Sequence, residues 1–330
     1  LNRIPNGDMK VALRHLRYLV ECAAQAPSTH NTQPWMFMLG SIGHDEIHVW
    51  ADRSRWLPVV DPDRREMHLS IGCALENMLV AADSLGLDVG VRYFPEPAQE
   101  DFVALVRVGG TAAPTGRGRL AAAIPHRHTA YVGFDGRPID ERVRAELEAV
   151  ATEPEVRLIF VDSVEVRRAV ENLVMRADAL QFSDAAFREE LGRCIGRGAY
   201  GAPWLLAKLE QLAVSWLDLG ESAGRRDAEA LMSSPLVALV ATTEDTRRAR
   251  VRAGQVFERL HLTATTRGVS VQPMNQAVQV QEVRRELLSV IAPGDGAGLH
   301  AQMLVRLGYT GEAVASPPRR SLEEMLGDAE

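Results

Sequence analysis

A ten-residue stretch recurs in this 330-residue chain and limits the folds open to it. Asp63-Arg-Arg-Glu-Met-His-Leu-Ser-Ile-Gly72 aligns with Asp245-Thr-Arg-Arg-Ala-Arg-Val-Arg-Ala-Gly254, and the offset from 72 to 254 persists without a gap to Gly86 and Gly268. Between those glycines both copies read as helices. Leu75, Met78, Leu79, Ala82 and Leu85 recur at helical spacing in the first, and Val256, Phe257, Leu260 and Ala264 do so in the second. Each helix is expected to end at its glycine, where a left-handed cap costs little. A strand follows in both, Phe102-Val-Ala-Leu-Val-Arg-Val-Gly109 and Ala301-Gln-Met-Leu-Val-Arg-Leu-Gly308. Shared spacing of helix, glycine and strand points to two related halves packed together. The first spans 1–110 and the second 119–330, joined by a linker at 111–118 within the Gly- and Pro-bearing run Gly109–Gly118.

The halves differ by an insertion at about 183–232, which separates Val156-Arg-Leu-Ile-Phe-Val161 from the strand Pro235–Val240. Within it, Leu205, Leu209, Leu212 and Trp216 fall on one helical face, the pattern of an element that covers a site. A net charge of −7 argues against a nucleic-acid footprint, because phosphate backbones attract basic surfaces. No stretch approaches the roughly 20 apolar residues of a membrane helix, and the N-terminus lacks a signal-peptide layout. Cys22, Cys73 and Cys194 are odd in number and scattered, forming neither a disulfide framework nor a metal site. The expectation is a cytoplasmic protein.

The segment richest in chemistry is Ala26-Pro-Ser-Thr-His-Asn-Thr-Gln-Pro-Trp-Met-Phe37. It follows a helix whose apolar face includes Leu13, Leu16, Leu19, Val20 and Ala23. Its hydroxyls and amides suit a planar, heteroatom-rich ligand, although an ordinary polar turn reads similarly. A second candidate is His126-Arg-His-Thr-Ala-Tyr-Val-Gly-Phe134, where Arg127 supplies a forked donor and Thr129 a hydroxyl for phosphate oxygens. A solvated basic turn is the plainer alternative. His126 and His128 lack the accompanying cluster a metal would need.

Pro-Ser-Thr-His-Asn-Thr-Gln-Pro-Trp resembles the Pro-Ser-Ser-x-Asn-x-Gln-Pro-Trp signature of the FMN-dependent nitroreductase family, and the fused layout is similar to its Acg-type branch. The resemblance implies an α+β fold, a mixed sheet flanked by helices, with two tandem half-domains forming a pseudo-dimer in one chain. It implies that Pro27, Ser28, Thr29 and Asn31 contact the flavin, with Gln33 supporting the loop. It also implies that Arg127, His128 and Thr129 hold the phosphate, and that Pro273, Met274, Asn275 and Gln276 pass the flavin N5 edge. In the tail Ser316-Pro-Pro-Arg-Arg-Ser-Leu322, Arg319 or Arg320 would meet the phosphate. Tyr131, Arg176 and Arg193 are further candidates for the flavin edge.

Only the second half carries the phosphate grip, and only the first carries the signature loop. One composite site, one FMN per chain and a monomer are therefore expected. NAD(P)H as co-substrate and a nitroaromatic or quinone acceptor follow from the resemblance, with no catalytic acid or base named. The alternative is a protein that holds FMN beneath a lid carrying Trp204 and Trp216. Two further motifs fit poorly. Gly196-Arg-Gly-Ala-Tyr-Gly201 follows a helical rather than a strand pattern, unlike a dinucleotide fingerprint. Gly220-Glu-Ser-Ala-Gly224 would make Ser222 a hydrolase nucleophile, but it continues an amphipathic helix instead of ending a strand.

Overall fold

A computed structural model describes residues 6–40, 45–199, 214, 220–294, 296–312 and 317–327. Helix α1 (Asn6–Ala24) precedes the strands β1 (Trp35–Leu39) and β2 (Glu46–Ala51). Helix α2 (Arg65–Ser84) then leads to β3 (Leu87–Tyr93) and β4 (Phe102–Thr111). The second half contains α3 (Glu141–Glu148), β5 (Val156–Phe160), α4 (Val164–Ser183), α5 (Ala185–Gly196) and α6 (Gly220–Met232). It continues with β6 (Leu236–Thr242), α7 (Arg247–Thr266), β7 (Ser270–Pro273), α8 (Gln276–Gln279), α9 (Gln281–Ile291), β8 (His300–Gly308) and α10 (Leu322–Met325).

The strands form two four-stranded sheets of like order, β1-β2-β4-β3 and β5-β6-β8-β7, with antiparallel ladders. Each gains a parallel bridge at an edge, Phe37 with Leu326 and Thr129 with Val271, so both are mixed. The first bridge carries the second half's tail onto the first half's sheet. The second lays the chain leaving a 3-10 segment, Arg117–His126, along β7. Among the described residues no helix is long and apolar enough to cross a membrane.

Helices α2 and α7 occupy positions related by the sequence offset, and Gly86 and Gly268 follow them with φ of 65° and 67°. The two helices cross at the other matched pair. A Cβ on Gly72 would overlap the carbonyl oxygen of Val251, and one on Gly254 would overlap that of Leu69. The contact is reciprocal because Leu69 and Val251 are themselves matched. Close approach here lets Leu75, Met78, Val256, Phe257 and Leu260 join one core with Trp35, Phe37, Ile47, Leu236 and Val305. This burial of apolar surface is the main attraction between the halves.

Two boundaries differ from expectation. Gly109, Gly110 and Thr111 continue β4, so the irregular connection is confined to residues 112–116. Leu13 is exposed, whereas Leu16, Leu19, Val20 and Ala23 are buried. Helical periodicity marks a face but not its edge.

Candidate functional site

A cavity of about 1280 Å³ lies between the halves. The first half lines it with Pro27, Ser28, Thr29 and Asn31; the second brings Arg127, His128, Thr129, Gln272, Pro273, Asn275, Gln276 and Arg319. Segments distant in sequence thus converge on one cavity.

The signature loop is a strained turn. His30, Asn31 and Gln33 have φ of 46°, 54° and 51°, a left-handed region that costs a non-glycine residue about 1–3 kcal/mol. Bonds within the loop and to the C-terminal tail hold it. Gln33 N donates to Ser28 Oγ at 2.9 Å, while Gln33 Oε1 accepts from Arg320 N at 2.9 Å. Asn31 Nδ2 donates to Pro318 O at 2.9 Å, and its Oδ1 accepts from Arg319 at 2.9 Å. Gln33 therefore sits behind the loop as its support, and the tail closes over Asn31.

At the loop's inner side two arginines meet. Arg127 and Arg319 both donate to Gln25 O, at 2.9 Å and 3.0 Å. Arg127 is 2% exposed, and its NH1 is buried without a hydrogen-bond partner. Its Nε lies 3.3 Å from Glu258 Oε1 but is not hydrogen-bonded to it. Buried donors are almost always satisfied, so an orphaned guanidinium nitrogen at a cavity wall marks a place for an acceptor. Ser28 and Thr129 line the same cavity. This donor set fits the phosphate of a flavin mononucleotide, a dianion that forked guanidinium groups bind well.

Comparison with known proteins identifies the family. The Mycobacterium tuberculosis protein Rv3131, named as a candidate NAD(P)H nitroreductase, is 30% identical over 325 residues, 94% of this chain and 90% of its own length. The chain belongs to the NAD(P)H nitroreductase family. Another member named in the same way, acg of that organism, is 25% identical over 332 residues, 97% of each chain. A nitroreductase with bound FMN from Bacteroides fragilis overlays 64% of this chain and 98% of its own, with 17% identity and a TM-score of 0.40. No family model matches the chain.

In this nitroreductase-family chain the carboxylates that organise the site come from α2 and α7, and no motif announced them. Glu66 accepts from Thr29 Oγ1 at 2.8 Å, Arg65 at 2.9 Å, Asn275 Nδ2 at 3.1 Å and Gln279 Nε2 at 3.0 Å. It thereby ties the signature loop to the segment after β7. Glu258 is fully buried behind Arg127, and burial pushes its carboxyl up to about 8 despite the opposing pull of Arg127 and Arg319.

That raised value has a consequence for stability. A carboxyl that holds its proton more tightly when folded stabilises the native state fully below its unfolded value, near about pH 4, and loses this advantage as pH rises through 8. The melting temperature of flavin-free protein should therefore fall between pH 5 and 8. Glu258→Gln, which cannot ionise, should fall less steeply; equal slopes would remove Glu258 as a cause.

Four of the candidate residues, Met274, Arg320, Arg176 and Arg193, stand outside the cavity lining. Met274 is fully buried in the core beneath the second sheet, so only its backbone follows the cavity segment. Arg320 is outside the lining: it donates to Gln33 O and Trp35 O, both at 3.0 Å, and lies 3.6 Å from Asp52. Of the two tail arginines, Arg319 lines the cavity and Arg320 does not. Arg176 and Arg193 are surface residues paired with Glu286 and Glu189, whereas Tyr131 lines the cavity.

Within the insertion, α5 and α6 are described. The helical face carrying Leu205, Leu209, Leu212 and Trp216, together with Trp204, lies outside the described residues. Gly196 ends α5, a helix, which excludes a strand before the Gly-x-Gly-x-x-Gly match. Gly220–Gly224 opens α6, and the side chain of Ser222 lies outside the described residues.

Proposed function

We propose that this chain binds one FMN in the composite cavity and uses it to pass reducing equivalents from NAD(P)H to a small planar acceptor of the quinone or nitroaromatic type. The observation that carries the reading is Arg127, a buried guanidinium with an unpartnered NH1 beside Arg319 at the cavity wall. Pro27, Ser28 and Thr29 would hold the flavin from one half, with Gln33 behind them. Arg127, His128, Thr129 and Arg319 would hold the phosphate, and Pro273, Asn275 and Gln276 would run along the ring edge. FMN supplies hydride chemistry when bound; the protein binds, orients and shields it.

We also infer an internally duplicated chain with halves at 1–110 and 119–330, working as a monomer. The offset that pairs Gly72 with Gly254 pairs Glu258 with Glu76. Glu76 is not left open: Arg259 donates to it at 2.8 Å and 3.0 Å, and to Glu153 at 2.9 Å. The two matched carboxylates thus have different partners, Arg259 on Glu76 and Arg127 beside Glu258, so the halves are not equivalent here. That asymmetry supports a single site.

The visible spectrum of purified protein tests the reading. Flavin bands, with one FMN released per chain on denaturation, are expected. Protein that stays colourless after incubation with FMN would overturn it, and two FMN per chain would overturn the single site. A second reading, an FMN-holding protein under a fixed cover, draws on Glu190 of α5. Its carboxylate accepts from Val59 N at 3.3 Å and Val60 N at 2.9 Å and pins the insertion to the first half. NAD(P)H oxidation separates the two: turnover with added naphthoquinone supports the reductase, and no turnover by FMN-loaded protein supports the holder.

A further inference from the structure

The cavity has a wall that flavin binding does not explain. The insertion and the end of α4 line it with Phe182, Phe187, Leu191, Ile195, Val214 and Ala223, which form a small apolar cluster. Two carboxyls border the same cavity, Asp178 from α4 and Asp227 from α6. Asp178 is 2% exposed, and its Oδ2 has no hydrogen-bond partner. Gln276 Nε2 donates to Asp227, linking the carboxyls to the segment proposed to follow the flavin.

A buried carboxyl without a partner is costly as an anion and much less so as a neutral acid. Two carboxyls that repel each other in a largely buried site cannot both ionise readily, so one retains a proton. The surroundings partly offset this. Arg226 from α6, Arg306 from β8, Glu229 and Tyr131 line the same space, and Gln276 hydrogen-bonds to the pair. Even so, burial and Asp227 push Asp178 up to about 8, and burial also raises Asp227.

We propose that Asp178 and Asp227 are a proton-sharing pair that delivers one proton to an uncharged planar acceptor, such as a quinone, held against the apolar wall. This inference rests on the reductase reading. A quinone receives two electrons and one proton as a hydride equivalent, supplied ultimately by a dihydronicotinamide that is oxidised to nicotinamide. The new bond to hydrogen forms as a carbonyl π bond opens, which leaves negative charge on oxygen. The carboxyl O–H breaks, its proton passes to that oxygen, and the electron pair stays on the carboxylate. Solvent returns the proton.

The test compares FMN-loaded wild type with the near-isosteric variants Asp178→Asn and Asp227→Asn, using 1,4-naphthoquinone and ferricyanide. Ferricyanide takes an electron and no proton. Proton donation by a positioned group contributes about 10²-fold or more. Quinone turnover in Asp178→Asn should fall on that order and lose the wild-type decline above about pH 8, while ferricyanide turnover stays within about twofold. An unchanged quinone-to-ferricyanide ratio in both variants would overturn this inference and leave the reductase reading standing. Failure of FMN-loaded wild type to reduce either acceptor would overturn both. A readout without turnover is the infrared difference between flavin-free wild type and Asp178→Asn, in which the buried Glu258 cancels: a carboxylic-acid band that titrates near pH 8 should be lost in the variant. No such difference would overturn the proposal.

Discussion

Arg127→Ala is expected to bind FMN about 10- to 100-fold more weakly than wild type, with little change toward riboflavin. A hydrogen bond to a charged group contributes about 1.5–3 kcal/mol, and each 1.4 kcal/mol is a factor of about ten in affinity. Riboflavin carries the same ring without the phosphate, so the comparison isolates the contact assigned to Arg127. The side chain also donates to Gln25 O and lies beside the fully buried Glu258. Its removal therefore exposes Glu258 to the cost of a buried, uncompensated acid, and some loss of stability should accompany the loss of FMN. Because Glu258 already sits at about 8, it can stay protonated at neutral pH, which limits that cost. Arg127→Lys keeps the charge but not the fork and should fall between the two proteins. Isothermal titration of flavin-free protein with both ligands gives the answer. Equal FMN affinity in wild type and Arg127→Ala would withdraw Arg127 from the phosphate site.

Much of this site was legible because its parts are contiguous in sequence. The loop from Pro27 to Gln33 and the Arg127–Thr129 segment each pack their polar groups into a few residues, and both reach the same cavity. The two halves were legible more weakly, through matched glycines and strands, and the order of strands within each sheet was not. The organising carboxylates were hidden for a physical reason. Arg65, Glu66, His68, Ser70, Glu76 and Asn77 are all buried in α2, and Gln255, Glu258, Arg259 and His261 are buried in α7. A helix buried on every side shows no polar face, so periodicity cannot separate a buried Glu66 from a solvated one. Asp178 was hidden for a different reason: α4 has an exposed side, and Asp178 is an acidic residue at the helical spacing of the buried Val174, Ala177 and Phe182. Arg319 and Arg320 were indistinguishable as neighbours, since only the path of the tail decides which one faces inward.

The other large effect is expected at the helix crossing, where Gly254→Ala should cost at least about 3 kcal/mol, the upper part of the usual range for overpacking a core. The obstacle is unusually rigid. The new methyl group would meet the carbonyl oxygen, carbonyl carbon and Cα of Leu69, all backbone atoms within α2. Gly72→Ala meets the matching atoms of Val251 and Gly254 and should cost a similar amount. No side chain can rotate away, so relief requires the helices to separate. Separation would open the core between the halves and move Glu66 and Glu258 relative to each other, so FMN affinity should fall with stability. The two substitutions should not add. Once the helices have moved apart for one methyl group, much of the space for the second exists, and coupling of this kind is typical of residues in contact. Gly90→Ala in β3 is the control, because a Cβ there meets nothing within 4 Å. Thermal melts of the four proteins should show a drop of at least about 5 °C for either helix variant, little change for Gly90→Ala, and a double variant less damaged than the sum of the singles. A Gly254→Ala protein that melts with wild type would mean that the helices cross elsewhere, and the composite cavity would have to be rebuilt around a different contact.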